Sequence, residues 1–424
     1  MKWLTAESRQ KVRHFVKKSA EYYKTCAIML CNTFVLFVLL NLVLLLIFKV
    51  RDSYREPPAE KSPGTREKYG MALLEKAYQD YDRNDLNALL DEHDQTRMEF
   101  ESFTQFKERP CSGKWINVDR NGFRHVKNQG PWPPQAGHVN IFLFGGSTGF
   151  GYRVGDEETI ASYLQEFLQN HHGKAVKVYN FGRGAYYSSQ ERVLLEKLLL
   201  AGSVPNVALF IDGYNDFGYA ADKPEWTDEL EEYMDGGRWP PPESCLSSCL
   251  SKLPIMRAAR HARFRLGFSS ADQLVKVPRI FIRYPEDVEG DAKIIERYSR
   301  NKRMIEVLAE AYGVVPVFVW QPIPWYKYDL KYHLFAHEGD AESHPLAREY
   351  PLMAKWVKER PITFSDNFLW LADIQEKSRE CNYNDALHYN KKFSKEIATH
   401  IGRFLRERKL LDLEISRRKK GQDS

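Results

Sequence analysis

Apolar and polar residues follow one another along this chain in three rhythms, and each predicts a different kind of element. The first is an unbroken run. Residues 26–48 hold 23 consecutive positions without a charged side chain and are rich in Leu, Val and Phe. Roughly 20 such residues, at 1.5 Å rise each, span a bilayer core of about 30 Å. The second rhythm is helical. Between 65 and 109, Met71, Leu73, Leu74, Ala77, Tyr78 and Tyr81, and later Leu86, Leu89 and Leu90, recur at the spacing of one helix face. One or two amphipathic helices are expected there, as a stalk or collar that self-associates or packs on the domain beyond it. The third rhythm alternates short apolar runs with longer amphipathic stretches. It predicts strands at 115–119, 139–144, 175–179, 206–211, 314–320 and 368–371. Helices are predicted at 157–170, 188–200, 291–312, near 350–359 and at 391–408, with Ser188 or Ser189 capping the second.

Strands that alternate with helices in this way predict an α/β domain built on a mostly parallel sheet with right-handed crossovers. The resulting segmentation is a basic stretch at 1–25, an apolar span at 26–48, and a linker with amphipathic helices at 49–110. An α/β domain at 111–410 and a basic tail at 411–424 complete it. Two irregular sections, near 217–290 and 326–366, interrupt the α/β pattern. The first is acidic, then proline-rich, then basic, and reads as an insertion or lid.

Charge and cysteine usage narrow the class. The 62 Lys and Arg nearly balance the 57 Asp and Glu, leaving +5 on 424 residues, which gives nucleic-acid binding no support. The apolar run is preceded by seven Lys/Arg and followed by Lys49-Val50-Arg51-Asp52 rather than by a small-residue cleavage site. It therefore reads as an uncleaved single-pass signal anchor. Six Lys/Arg follow the run within 49–68, so the charge bias across it is slight. The orientation expected of such an anchor leaves the amino terminus in the cytoplasm and delivers the large domain to the extracytoplasmic side, and the alternative is a large domain in the cytosol. Of six cysteines, Cys26 and Cys31 lie in the run, and Cys245 and Cys249 are close enough for a local bridge. No Cys or His spacing suits zinc, and His171-His172 reads as a helix end.

Candidate chemistry gathers at the carboxyl ends of the strands. The first long strand runs into Gly145-Gly146-Ser147-Thr148-Gly149, which fits the G-x-S-x-G pattern of a nucleophile elbow. A glycine-rich phosphate loop would also follow a strand, but its Gly-Lys-Ser/Thr ending is missing, and an ordinary turn serine is the third reading. The next strands end in Asn180-Phe181-Gly182 and Gly213-Tyr214-Asn215-Asp216. Near the end of the domain stands Asp385-Ala386-Leu387-His388, where a carboxylate three residues before an imidazole can orient it as a base. Arg183 and Tyr186-Tyr187 are further candidates for lining the site.

Taken together and in this order, these blocks resemble the SGNH (GDSL-like) hydrolase superfamily over about residues 115–405. The resemblance implies a three-layer α/β/α fold of flavodoxin-like order. It implies Ser147 as nucleophile, His388 as base and Asp385 as its orienting group. Backbone N–H groups of Ser147 and Gly182 and the side chain of Asn215 would form the oxyanion hole. The usual Gly-Asp-Ser is Gly-Gly-Ser here. An α/β-hydrolase fits less well, because it needs several strands upstream of its nucleophile. No metal or cofactor is implied. The expected activity is hydrolysis or transfer of an acyl ester on a lipid or an O-acylated carbohydrate by a membrane-anchored enzyme. The alternative is a non-catalytic anchored component of an envelope or polysaccharide assembly.

Overall fold

Strands without polar alternation belong in sheets covered on both faces, and such a sheet lies at the centre of this fold. The structure, a computed structural model, describes residues 6–54, 64–172, 175–224, 227, 253–256, 258, 284–285, 287–336, 339 and 344–412. The chain divides into two units, Met1–Ser62 with Glu232–Arg279 and Pro63–Glu231 with Ile280–Ser424. The Cys245–Cys249 pair, most of the 217–290 section and the tail from 413 onward lie outside the described residues.

In the first unit, helix α1 (Ala6–Tyr54) runs through the apolar stretch and the basic residues on both sides of it. Its portion His14–Lys49 contains an apolar stretch with a mean hydropathy of 2.7 and is long and apolar enough to cross a membrane. Polar side chains inside it bond one turn back along the same helix. Thr33 Oγ1 donates to Met29 O at 2.8 Å and Asn41 Nδ2 to Phe37 O at 2.9 Å. Asn41 Oδ1 accepts from Ile255 N–H of the same unit at 3.1 Å.

The second unit opens with three short helices, α2 (Thr65–Tyr69), α3 (Met71–Ala77) and α4 (Arg83–Gln95), the last capped by Asp82. Their buried Leu74, Tyr78, Leu86, Leu89 and Leu90 pack against Trp115 and Phe335, so the face packs on the α/β unit. Glu92 of α4 fastens it there by accepting the N–H groups of Lys114, Trp115 and Ile116 at 2.8–2.9 Å. The helical expectation for 65–109 needs one correction. Strands β1 (Met98–Glu101) and β2 (Gln105–Glu108) form an antiparallel hairpin instead. Its carboxylates, Glu101 and Glu108, find their partners in the distant loop at Arg183 and Gly184. Strands β3 (Cys111–Ser112) and β4 (Asn117–Val118) follow as a second small pair.

The central sheet has five parallel strands in the order β6-β5-β7-β8-β9. These are β5 (Val139–Gly145), β6 (Val176–Asn180), β7 (Val207–Asp212), β8 (Val315–Trp320) and β9 (Phe368–Trp370). Alternate residues supply two different cores. Ile141, Leu143, Val178, Leu209 and Val317 face helices α6 (Ile160–His171) and α11 (Lys391–Glu407). Phe142, Phe144, Tyr179, Phe210, Phe318 and Trp320 face the other side. That side is covered by α7 (Ser188–Leu200), α9 (Val288–Ala311) and α10 (Leu346–Glu359). The result is a three-layer α/β/α unit of flavodoxin-like strand order. Strand order reverses between β5 and β7, and such sheets hold their ligands outside the carboxyl ends at that point. Ser147 and Asn215 follow these two strands directly.

Candidate active site

The turn after β5 is short and lies so close to Asn215 that only a residue without a side chain fits at Gly146. Helix α5 (Ser147–Phe150) starts at once, with Gly146 as its N-cap. As the first helical residue, Ser147 has an N–H that precedes the first intrahelical acceptor, where helix amides are left unpaired. Thr148 is buried, and its Oγ1 donates to Gln321 Oε1 at 2.6 Å, tying the turn to the end of β8.

Residues 383–389 form the second part of the site. Tyr383 and Tyr389 close this loop as an antiparallel bridge, and Asn384 N–H donates to His388 O at 2.8 Å. Inside it, Asp385 Oδ1 accepts the N–H groups of Leu387 at 2.9 Å and His388 at 2.8 Å. One carboxylate thus shapes the turn and, from the same position, reaches the imidazole. His388 Nδ1 lies 2.9 Å from Asp385 Oδ1 and 2.8 Å from Oδ2. His388 Nε2 lies 2.8 Å from Ser147 Oγ. Burial pushes the Asp385 carboxyl upward. The charge and hydrogen bonds of His388, with the charge of Arg153, outweigh it and hold the group well below the usual carboxylate range. The Tyr152 ring flanks the imidazole, with centroids 5.5 Å apart.

The third part is the set of candidate oxyanion donors. Asn215, in α8 (Tyr214–Gly218), donates from Nδ2 to Tyr186 O at 2.7 Å, which leaves the second amide N–H to offer. A β-carbon on Gly146 would stand 2.2 Å from that nitrogen, so Asn215 lies directly against the turn that holds Ser147. Gly182 is equally close on the β6 side, where a β-carbon would stand 2.3 Å from Phe150 N. Its own N–H, however, donates to Asn180 Oδ1 at 3.0 Å. It could serve an anion only by sharing or exchanging that bond.

The remaining sequence candidates have structural surroundings. The side chains of Arg183 and Tyr186 belong to a buried network, and Tyr186 meets the site only through its main-chain oxygen, which accepts from Asn215. Arg183 is buried in an ion pair with Glu101 and bonds Tyr186 Oη, which in turn donates to Phe106 O. Ser188 does not cap α7, because its hydroxyl donates to Asp216 Oδ1 at 2.5 Å. Asp216 is thereby part of the joint between α7 and α8, and its main-chain oxygen also accepts from Arg297 Nη2 at 2.7 Å. The His171 ring stacks on Phe167 at the end of α6. Among the described residues no group of three or more His, Cys, Asp or Glu side chains is arranged to hold a metal ion. Two contributors carry no signal in the sequence blocks. They are Gln321, which steadies the turn at Ser147, and Arg153, whose Nε donates to Asp385 Oδ2 at 3.0 Å.

No family profile matches this sequence, and no curated protein does. Solved structures with a similar outline include a lipase/acylhydrolase from Enterococcus faecalis, at 14% identity over 63% of this chain and 96% of that one, with a TM-score of 0.35. An acetylxylan esterase from Geobacillus stearothermophilus is 13% identical over 64% of this chain and 94% of its own, with a TM-score of 0.34. An esterase from a Pseudoalteromonas species gives 13%, 63%, 97% and 0.33. The α/β class of this chain stands on its own strand order and register.

Proposed function

We propose that this chain is a membrane-anchored serine esterase that works through an acyl-enzyme intermediate. The observation that carries the reading is the continuous contact from Ser147 Oγ through the His388 imidazole to a buried, charged Asp385. In the first step Ser147 Oγ bonds to the ester carbonyl carbon while His388 Nε2 takes the hydroxyl proton. The carbonyl oxygen becomes an oxyanion, received by the Ser147 N–H and the free Asn215 N–H, with Gly182 joining once its bond to Asn180 yields. Collapse breaks the bond to the alcohol oxygen, and His388 returns the proton to the departing alcohol. Water then attacks the acyl-serine, His388 takes its proton, and the acid leaves with Ser147 restored. A second alcohol in place of water would make the same site an acyltransferase. Asp385 keeps the imidazole in the tautomer that presents Nε2 as acceptor and stabilises the imidazolium in between. No step needs a metal or cofactor.

The apolar α1 would hold this chemistry at a membrane, with the α/β unit on the extracytoplasmic side. The substrates that fit are acyl esters of lipids or of O-acylated carbohydrate. The test uses full-length protein in detergent micelles, a fluorophosphonate probe and p-nitrophenyl acetate. Wild type should be labelled at Ser147 and turn over the ester. Ser147→Ala should lose labelling and at least roughly 10³-fold in kcat, and His388→Ala a comparable factor. Labelling that persists in Ser147→Ala would sink the assignment of Ser147 as nucleophile, and its absence from wild type would favour a non-catalytic anchored component.

A further inference from the structure

The loop after the nucleophile bends back towards the triad and brings a cation with it. Arg153 stands six residues after Ser147 and outside every block that marked the site. Its φ is +73°, a left-handed conformation that residues with side chains rarely adopt. Several groups hold it there. Asn384 Nδ2 and Tyr78 Oη both donate to its carbonyl oxygen, at 3.0 and 2.9 Å. His93 Nε2 lies 3.0 Å from its amide nitrogen and 3.2 Å from Val154 O, so either tautomer of that buried ring tethers the turn. The guanidinium then lies between two carboxylates, with Nε 3.0 Å from Asp385 Oδ2 and Nη1 3.4 Å from Asp94 Oδ1.

We propose that Arg153 is a positioning residue for the triad, fixing the Asp385 carboxylate against His388, and that the amino-terminal helices holding Arg153 are part of the catalytic scaffold. This rests on the serine-esterase reading above. A carboxylate offers about four acceptor sites, and here each has a donor. Oδ1 takes two backbone N–H groups, and Oδ2 takes His388 Nδ1 and Arg153 Nε. Without Arg153 a nearly buried carboxylate loses a charge-assisted partner and is free to shift relative to the imidazole. An exposed ion pair would contribute little, but these side chains are only 20% and 7% exposed. The Arg153 backbone is held by Tyr78 of the segment after α3, His93 of α4 and Asn384, which directly precedes Asp385. Tyr78, His93 and Asp94 thus link residues just after the apolar helix to the orientation of the base.

The test is made on full-length protein in detergent micelles with Arg153→Ala, Arg153→Lys and Asp94→Asn. For Arg153→Ala we expect kcat on p-nitrophenyl acetate and the rate of fluorophosphonate labelling to fall together by roughly 10–100-fold, with KM within about twofold. Millimolar guanidinium should restore a large part of both, which a purely structural loss would not allow. Arg153→Lys should be intermediate, because an ammonium cannot span both carboxylates as a guanidinium does, and Asp94→Asn should lose about threefold. The proposal is overturned if Arg153→Ala keeps kcat within twofold, or if its loss does not respond to guanidinium. Should Arg153→Ala not fold, unchanged kcat in both Arg153→Lys and Asp94→Asn overturns it, and a graded loss supports it. A wild type that takes no probe at Ser147 removes the esterase reading and this role with it. A labelled wild type matched by its Arg153 variants removes this role alone.

Discussion

The smallest residue in the site carries one of its strictest steric demands. Gly146 has φ of −74°, which alanine also adopts, so its backbone is not the constraint. The constraint is space, since a β-carbon would stand 2.2 Å from Asn215 Nδ2 and 3.0 Å from Tyr186 O, the donor and acceptor of one hydrogen bond. Gly146→Ala should therefore act by displacing the Asn215 amide. In the mechanism proposed above Asn215 is an oxyanion donor, and losing one such donor costs about 3–4 kcal/mol of transition-state stabilisation, so kcat should fall by about 10²-fold or more. Asn215→Ala should fall similarly, and the double variant should be little worse than either single one, because both remove the same donor. Additive losses in a double-mutant cycle on p-nitrophenyl acetate would show that Gly146 acts through something other than Asn215.

At the scale of elements, the sheet is held in register by an aromatic ladder. Phe144, Phe210 and Phe318 are cross-strand partners on β5, β7 and β8, with ring centroids 4.8 and 5.4 Å apart. The middle rung, Phe210, is fully buried, so Phe210→Ala should cost about 3–5 kcal/mol and lower the thermal midpoint by several degrees. A change within a degree would mean that the strands are held by their hydrogen bonds alone. The same chemistry explains which elements are legible in the sequence. Strands covered on both faces leave unbroken apolar runs, and helices covering them leave one-sided periodicity, so these elements can be read within a few residues. The hairpin β1–β2 cannot, because its short strands are stabilised by Glu101 and Glu108 reaching residues about 80 positions away. Ser188 has the type and place of a cap, yet its hydroxyl serves Asp216. Ser147, Asp385 and His388 are legible because a glycine-flanked serine ends its strand and local spacing places Asp385 and His388 on one turn. Arg153 is not, because its partners come from three separate segments.

At the scale of the whole molecule, the small net charge hides an uneven placement of acids. Glu191, Asp212 and Asp216 are buried together behind Asn215, and burial raises all three. Glu349 of α10 is buried as well. Its burial, reinforced by the Asp291 carboxylate nearby, pushes it up to about 8, against the opposing Arg348. Such groups hold a proton in the folded state that the unfolded chain releases near its ordinary value of 4.5. Between those pH values the native state binds more protons than the unfolded one, so stability must fall as pH rises. Glu349 contributes fully below about 4.5, loses its contribution as pH climbs through about 8, and changes little above that. The span corresponds to a loss of about 5 kcal/mol. Glu349→Gln keeps the neutral shape and cannot ionise. Its thermal midpoint should match wild type near pH 5 and exceed it by several degrees near pH 9, measured on both proteins in the same detergent. A gap between the two that stays constant across this range would mean that Glu349 is already charged in the folded protein. The alkaline loss of stability would then have to come from the carboxyl cluster behind Asn215, which Asp212→Asn probes in the same assay.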